Sequence, residues 1–244
     1  MSSRSHRFAR VVQTAGTLAL VLAFASNASL QQPTSDPARA TFMQAHFSQA
    51  IVLHDAVARG DLVAARTQAA LLADHRPAVP FPTGAQAYFG LMTYDAGRVR
   101  AAMTIEHAAQ AAASLLSRCG QCHLAMHVRG AVAATRDSEV GGLVGQMLAH
   151  QRATDMLLEG LIGPSTATWD AGARGFATLG ISAEAMPSRQ LAAKARIANA
   201  RSSQLAADAA RAERPPDRAR AYGRILATCA SCHQEHPGVW GPQR

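Results

Sequence analysis

The sequence predicts an all-α chain built as two tandem four-helix bundles, each with its cysteine motif on the last helix. Three observations carry this. Aromatic residues are only 5% of the 244 positions while hydrophobic residues reach 48%, and alanine, the best helix former, is abundant where strands would need β-branched and aromatic side chains. Apolar residues recur at steps of three and four, the spacing of one helix face. The segments so defined are bounded by capping residues, glycines and prolines.

The first 28 residues carry Arg4, Arg7 and Arg10 ahead of an apolar run from about Val11 to Ala25, then small residues at Ala23–Ala25 and Ser26–Ala28. This is the anatomy of a secretory signal peptide. The competing reading, an uncleaved anchor, needs about 20 uninterrupted apolar residues, and Gln13 and Thr14 interrupt this run. Export, to the periplasm in a Gram-negative source, is expected. Without the three arginines the net charge of +8 falls to +5. Lys194 is the one lysine, and the arginines are scattered with no dense basic run among aromatics, so nucleic acid is not expected as a partner.

In the first half, a helix is expected from about Ala38 to Arg59, stopped by Gly60. Asp61 caps the next, "DLVAARTQAALLADH", and "RPAVPFPTG" breaks the pattern with three prolines. A third helix is expected from about Ala85 to Ala102, with Tyr88, Met92, Val99 and Met103 at helical spacing, and Thr104 caps a fourth that runs into Cys119. In the second half, Ser138 caps a helix ending near Gly160, "GPST" opens the next, "GISAEAMPS" separates helices two and three, and "RPPD" separates three and four. "MQAH" at 43–46 returns as "MLAH" at 147–150, a shift of 104; "AR" at 65–66 returns at 173–174, a shift of 108; and Cys119 returns as Cys229, a shift of 110. Drifting shifts of this kind describe a duplicated unit with small insertions. The expected domains are 38–135 and 138–244.

All four cysteines sit in two copies of one pattern, Cys119-Gly-Gln-Cys122-His123 and Cys229-Ala-Ser-Cys232-His233. In C-x-x-C-H the two thiols add to the vinyl groups of a haem, and the adjacent imidazole binds the iron from one face. Two covalently attached c-type haems are therefore expected, with His123 and His233 as proximal ligands. A zinc ribbon would place its second pair about 15–20 residues on; here 106 residues intervene. A thioredoxin-like dithiol wants strands nearby, and a disulfide within each pair leaves the paired histidines unexplained.

A sixth ligand, if there is one, must come from elsewhere, and helix one of each unit carries the candidates. Met43, His46, Ala50, Leu53 and Val57 form an inward stripe, matched by Leu143, Met147, His150, Thr154, Leu157 and Leu161. A buried imidazole must find a partner, so His46 and His150 lead as sixth ligands, with Met43 and Met147, or an open position, as alternatives. His236 lies too close to His233 to reach the opposite face. His54, His75, His107 and His127 have no counterpart at the repeat offset and read as surface or local packing; Tyr88, Phe89 and Trp169 read as core or pocket wall. Met186-Pro187, 63 residues after His123, would suit a class I cytochrome spanning 119–190, but that reading strands Cys229–His233.

An exported chain of helical repeats, each ending in CxxCH, resembles the class II c-type cytochromes of the cytochrome c-prime kind, over about residues 38–240. The resemblance implies a four-helix bundle with the attachment motif on its last helix, and permits five-coordinate iron that binds nitric oxide or carbon monoxide. Each unit here is shorter than that family's, and the tandem form is not its usual one. The function expected is single-electron transfer between periplasmic or membrane-bound redox proteins. Gas binding is the alternative. No acid–base constellation repeats beside either motif, so neither an enzyme nor a small-molecule substrate is expected.

Overall fold

The structure, a computed structural model, describes residues 36–77, 80–128 and 140–235. These residues are helical and contain no strand. Eight α-helices follow in order: α1 (Pro37–Ala58), α2 (Leu62–Asp74), α3 (Thr83–Ala101), α4 (Ile105–Ala125), α5 (Gly142–Ile162), α6 (Thr166–Thr178), α7 (Arg189–Ala210) and α8 (Pro215–Glu235), with one turn of 3₁₀-helix at Ala183–Ala185 before α7. None of these helices is long and apolar enough to cross a membrane. The expected signal segment, the Ser138 cap and His236 lie outside the described residues.

Local chemistry accounts for the boundaries. The carboxylate of Asp61 accepts from the Ala64 amide at 2.9 Å, Thr104 from His107 at 3.3 Å and Ser165 from Thr168 at 3.2 Å; each satisfies an amide that has no partner inside its helix. Gly60 ends α1 with φ of 75°. Its amide bonds to the Val57 carbonyl, and that of Asp61 to Ala56, both at 2.9 Å, a reverse turn that glycine enters without a Cβ penalty. α5 runs two residues past its expected end. Met103 fits the spacing of α3 but falls in the turn after it, 78% exposed.

Within each half, consecutive helices pack as neighbours; across the halves, the closest pairing is between α4 and α8. The two run antiparallel. Ser231 donates to the Glu106 carboxylate at 2.8 Å near one end, and Ser117 to the Pro215 carbonyl at 3.3 Å near the other. Between them, a Cβ on Gly223 would lie 2.8 Å from the Gln110 side chain and 3.0 Å from its Cα, so the glycine is what lets the helices close. Ala108, Ala109, Ala112, Leu115 and Leu116 of α4 share one hydrophobic core with Tyr222, Ile225, Leu226 and Ala230 of α8, and that core continues into both halves through Leu53, Val57, Leu157 and Trp169. Trp169, fully buried, donates its indole N–H to the Ala209 carbonyl at 2.8 Å.

Candidate functional site

Both cysteine motifs lie in the last two turns of their helices, on α4 and α8. Residues three and four apart on a helix share a face, so Cys119, Cys122 and His123 line one side of α4, and Cys229, Cys232 and His233 one side of α8. All four cysteines are free and half-buried. Burial pushes the Cys119 thiol up to about 12 and the Cys229 thiol up to about 11, and raises Cys122 and Cys232 as well. They stand as neutral thiols, poorly suited to redox exchange as a dithiol. Because α4 and α8 are antiparallel, the motifs sit at opposite ends of the pair. Counting outward from the Gln110–Gly223 crossing at 1.5 Å per residue separates His123 from His233 by about 35 Å.

Neither histidine ring is left to solvent. His123 Nδ1 lies 2.9 Å from the carbonyl oxygen of Ile162, the last residue of α5. The backbone of Ala58, the last residue of α1, favours the charged form of His233. Burial lowers both pKa values more than these backbone groups raise them. In the neutral tautomer that donates from Nδ1, the Nε2 lone pair is left available as a ligand. Beside the first motif, Cys119 Sγ lies 3.9 Å from Met92 Sδ. The buried Asp95 carboxylate accepts from Arg118 at 3.0 Å and Arg98 at 3.1 Å, pinning the approach to Cys119 against α3.

On the first helices, His46 is buried on its stripe above Ala50, Leu53 and Val57. Its Nδ1 is 3.2 Å from His75 Nδ1, its ring stacks on Phe42, and Phe81 and Phe89 close the cluster. Burial, and then the His75 charge, lower its pKa to about 4. His150 is half-buried, edge-on to Phe176 at 5.4 Å between ring centroids, and burial lowers its pKa. Among the described residues, His46 Nε2 and His150 Nε2 are both buried without a hydrogen-bond partner, although a buried polar atom ordinarily has one. Met43 and Met147 are half-buried one turn away. Among the described residues, no group of three or more His, Cys, Asp or Glu converges on a site for a bare metal ion.

Sequence reasoning passed over two histidines. His75, set aside for want of a counterpart, is the side chain that holds His46. It lies just past the end of α2, where no periodicity reaches. His54 is a core residue whose Nε2 lies 2.8 Å from the hydroxyl of the buried Tyr222. His107 and His127 are exposed, as expected, and Met186 is half-buried in the loop before α7. No family model, no curated protein and no solved structure matches the chain.

Proposed function

We propose that the chain is an exported dihaem c-type cytochrome that carries single electrons between redox proteins. The observation that carries the proposal is the pair of helical CxxCH motifs, each with neutral thiols, the first with an imidazole whose Nδ1 side is turned to a carbonyl. The residues fit the group. Cys119 and Cys122 would hold one haem with His123 as proximal ligand, and Cys229, Cys232 and His233 the other. When bound, each haem supplies a reversible one-electron change at its iron. The protein's part is to orient the imidazoles, keep water from the ligand faces and present an edge to a partner.

The orphaned Nε2 atoms of His46 and His150 support these two as sixth ligands. His46 is the better prepared: an Nδ1–H donated to His75 fixes the tautomer whose Nε2 lone pair is free, the arrangement that orients ligating histidines generally. Met43 and Met147 are the alternatives on the same stripe. The matching lengths of α1 and α5 (22 and 21 residues), α2 and α6 (13 each) and α4 and α8 (21 each) support the duplicated unit, and with it tandem bundles of four helices. Their contiguous core makes them one folded body. Two haem ends about 35 Å apart, by the helix rise, favour separate partners over rapid exchange between the haems.

Haem staining after denaturing electrophoresis tests the foundation. The chain should stain, and mass spectrometry should find two haems. Cys119→Ser with Cys122→Ser should leave one, and a chain without covalent haem would overturn the proposal. Inertness of the reduced protein to carbon monoxide is expected of six-coordinate haems, whereas rapid binding would replace electron transfer by gas binding.

A further inference from the structure

Each motif helix meets the end of a helix from the other half of the chain. His123 belongs to the first half, and its acceptor, Ile162 O at 2.9 Å, ends α5 in the second. His233 belongs to the second half, and its helix packs at Ala230 and Gln234 against Gly60, just past the end of α1 in the first. Ala58 and Ile162 are 104 residues apart, the same offset that relates "MQAH" to "MLAH". The last carbonyls of a helix lack intrahelical donors and carry the negative end of its dipole, so both are strong acceptors for an imidazole N–H.

The backbone is cleared on purpose at both contacts. A Cβ on Gly120, one turn before His123, would lie 2.0 Å from the Leu161 carbonyl oxygen and 3.4 Å from that of Ile162. A Cβ on Gly60, two residues after Ala58, would lie 2.6 Å from the Ala230 carbonyl oxygen and 2.8 Å from the backbone nitrogen of Gln234. Backbone therefore approaches backbone closely at both, and at Gly120 this lets the Ile162 carbonyl reach the His123 ring.

We propose that the second half of the chain positions the proximal histidine of the first, through the Ile162–His123 pair, with Gly120 as the positioning residue that admits the contact. The proposal rests on the dihaem reading above. An acceptor on Nδ1–H makes the imidazole a more basic ligand, which favours the ferric state. The first half then does not hold a complete haem site, and the potential of its haem is set by a helix the second half supplies.

The test is Gly120→Ala in the full, haem-loaded chain, with the two potentials measured by spectroelectrochemistry. The first-motif haem is identified from a Cys229→Ser/Cys232→Ser protein that carries it alone. The added methyl should push α5 off His123 and raise the potential of that haem, shifting its ferrous-to-ferric ratio about tenfold at fixed potential, or 59 mV for one electron. The second haem should not move. A loaded variant with the first potential unchanged, or with both shifted alike, overturns the inference while leaving the dihaem reading intact; a chain without covalent haem overturns both. Should the variant not fold, the native protein decides. With ¹⁵N-histidine labelling, the Nδ1 proton of His123 should be protected from solvent exchange, and rapid exchange would overturn the proposal.

Discussion

The two ends of the molecule solve one problem alike and a second differently. On the proximal side, a helix C-terminus from the opposite half closes on each CxxCH helix, but the clearance comes from different partners. At the first motif the glycine is in the motif helix, Gly120, against the ordinary end of α5; at the second it ends α1, Gly60, against Ala230 of α8. The close approach of backbone to backbone is common to both ends, and the residue that yields is not. On the distal side the ends diverge. His46 is buried, held by His75 and enclosed by Phe42, Phe81 and Phe89, whereas His150 is half-buried against Phe176. On the proposed dihaem reading, similar proximal sides with dissimilar distal sides would give two haems different potentials within one fold, because the ligand opposite histidine and the dryness around it are what tune such a centre.

The largest effect expected is on the distal side. His46→Ala should convert the first haem, and only that one, from low spin to high spin, so that about half of the low-spin absorption and resonance Raman intensity is lost. His150→Ala should do the same at the second. If one substitution converts its haem and the other does not, the ends differ in ligand and not merely in surroundings, and Met147 becomes the group to replace next.

Proximal clearance comes second. Gly60→Ala forces an alanine into a left-handed conformation and its Cβ into α8; the two penalties together should cost roughly 2–4 kcal/mol. Gly163, at the matching end of α5, has φ of −86°, and an alanine there meets no conformational penalty. Chemical denaturation should separate the two variants widely, and equal losses would show that the α1 end is not special.

How much of this could be read in advance depends on how local the signal is. The caps at Asp61, Thr104 and Ser165 were legible because each acts within three residues. So were the stripe running through His46 and the cysteine motifs, which depend on spacing alone. The pairing of α4 with α8 is a contact between distant segments and has no such signature. One clue was present: Ala108, Ala109, Ala111, Ala112 and Ala113 are all buried, and a helix apolar all round must be enclosed on more sides than its own bundle covers. Met103 shows the opposite failure, since the right spacing carries no information once Ala102 has ended the helix.

The next effect is on pH dependence before haem is attached. His46 titrates near 4 in the folded chain against about 6.5 unfolded, because burial and then the facing His75 penalise its charge. The unfolded chain therefore binds the extra proton first as pH falls. Stability is undiminished above about 6.5 and declines from there to about 4, by roughly 3 kcal/mol in all. In haem-free protein, His46→Gln should flatten that decline in urea unfolding curves recorded between these limits. An unchanged slope would assign the acid sensitivity to another group.

The smallest effect lies between the two ends, where the crossed contacts should be insensitive. Tyr222 is fully buried on α8, and its hydroxyl meets His54 Nε2 on α1 at 2.8 Å, while His54 Nδ1 lies 3.2 Å from the Asp55 carboxylate. Tyr222→Phe preserves the ring and its packing but leaves the His54 nitrogen buried without a partner, at a cost of about 1–3 kcal/mol. Thermal unfolding should register that loss. Both reduction potentials should stay where they are, because the bond removed runs from Tyr222 to His54 Nε2 and leaves the Ile162–His123 contact in place. A shift in either potential would mean that the α1–α8 packing transmits strain from the middle of the pair to its ends, and that the two proximal contacts are set jointly.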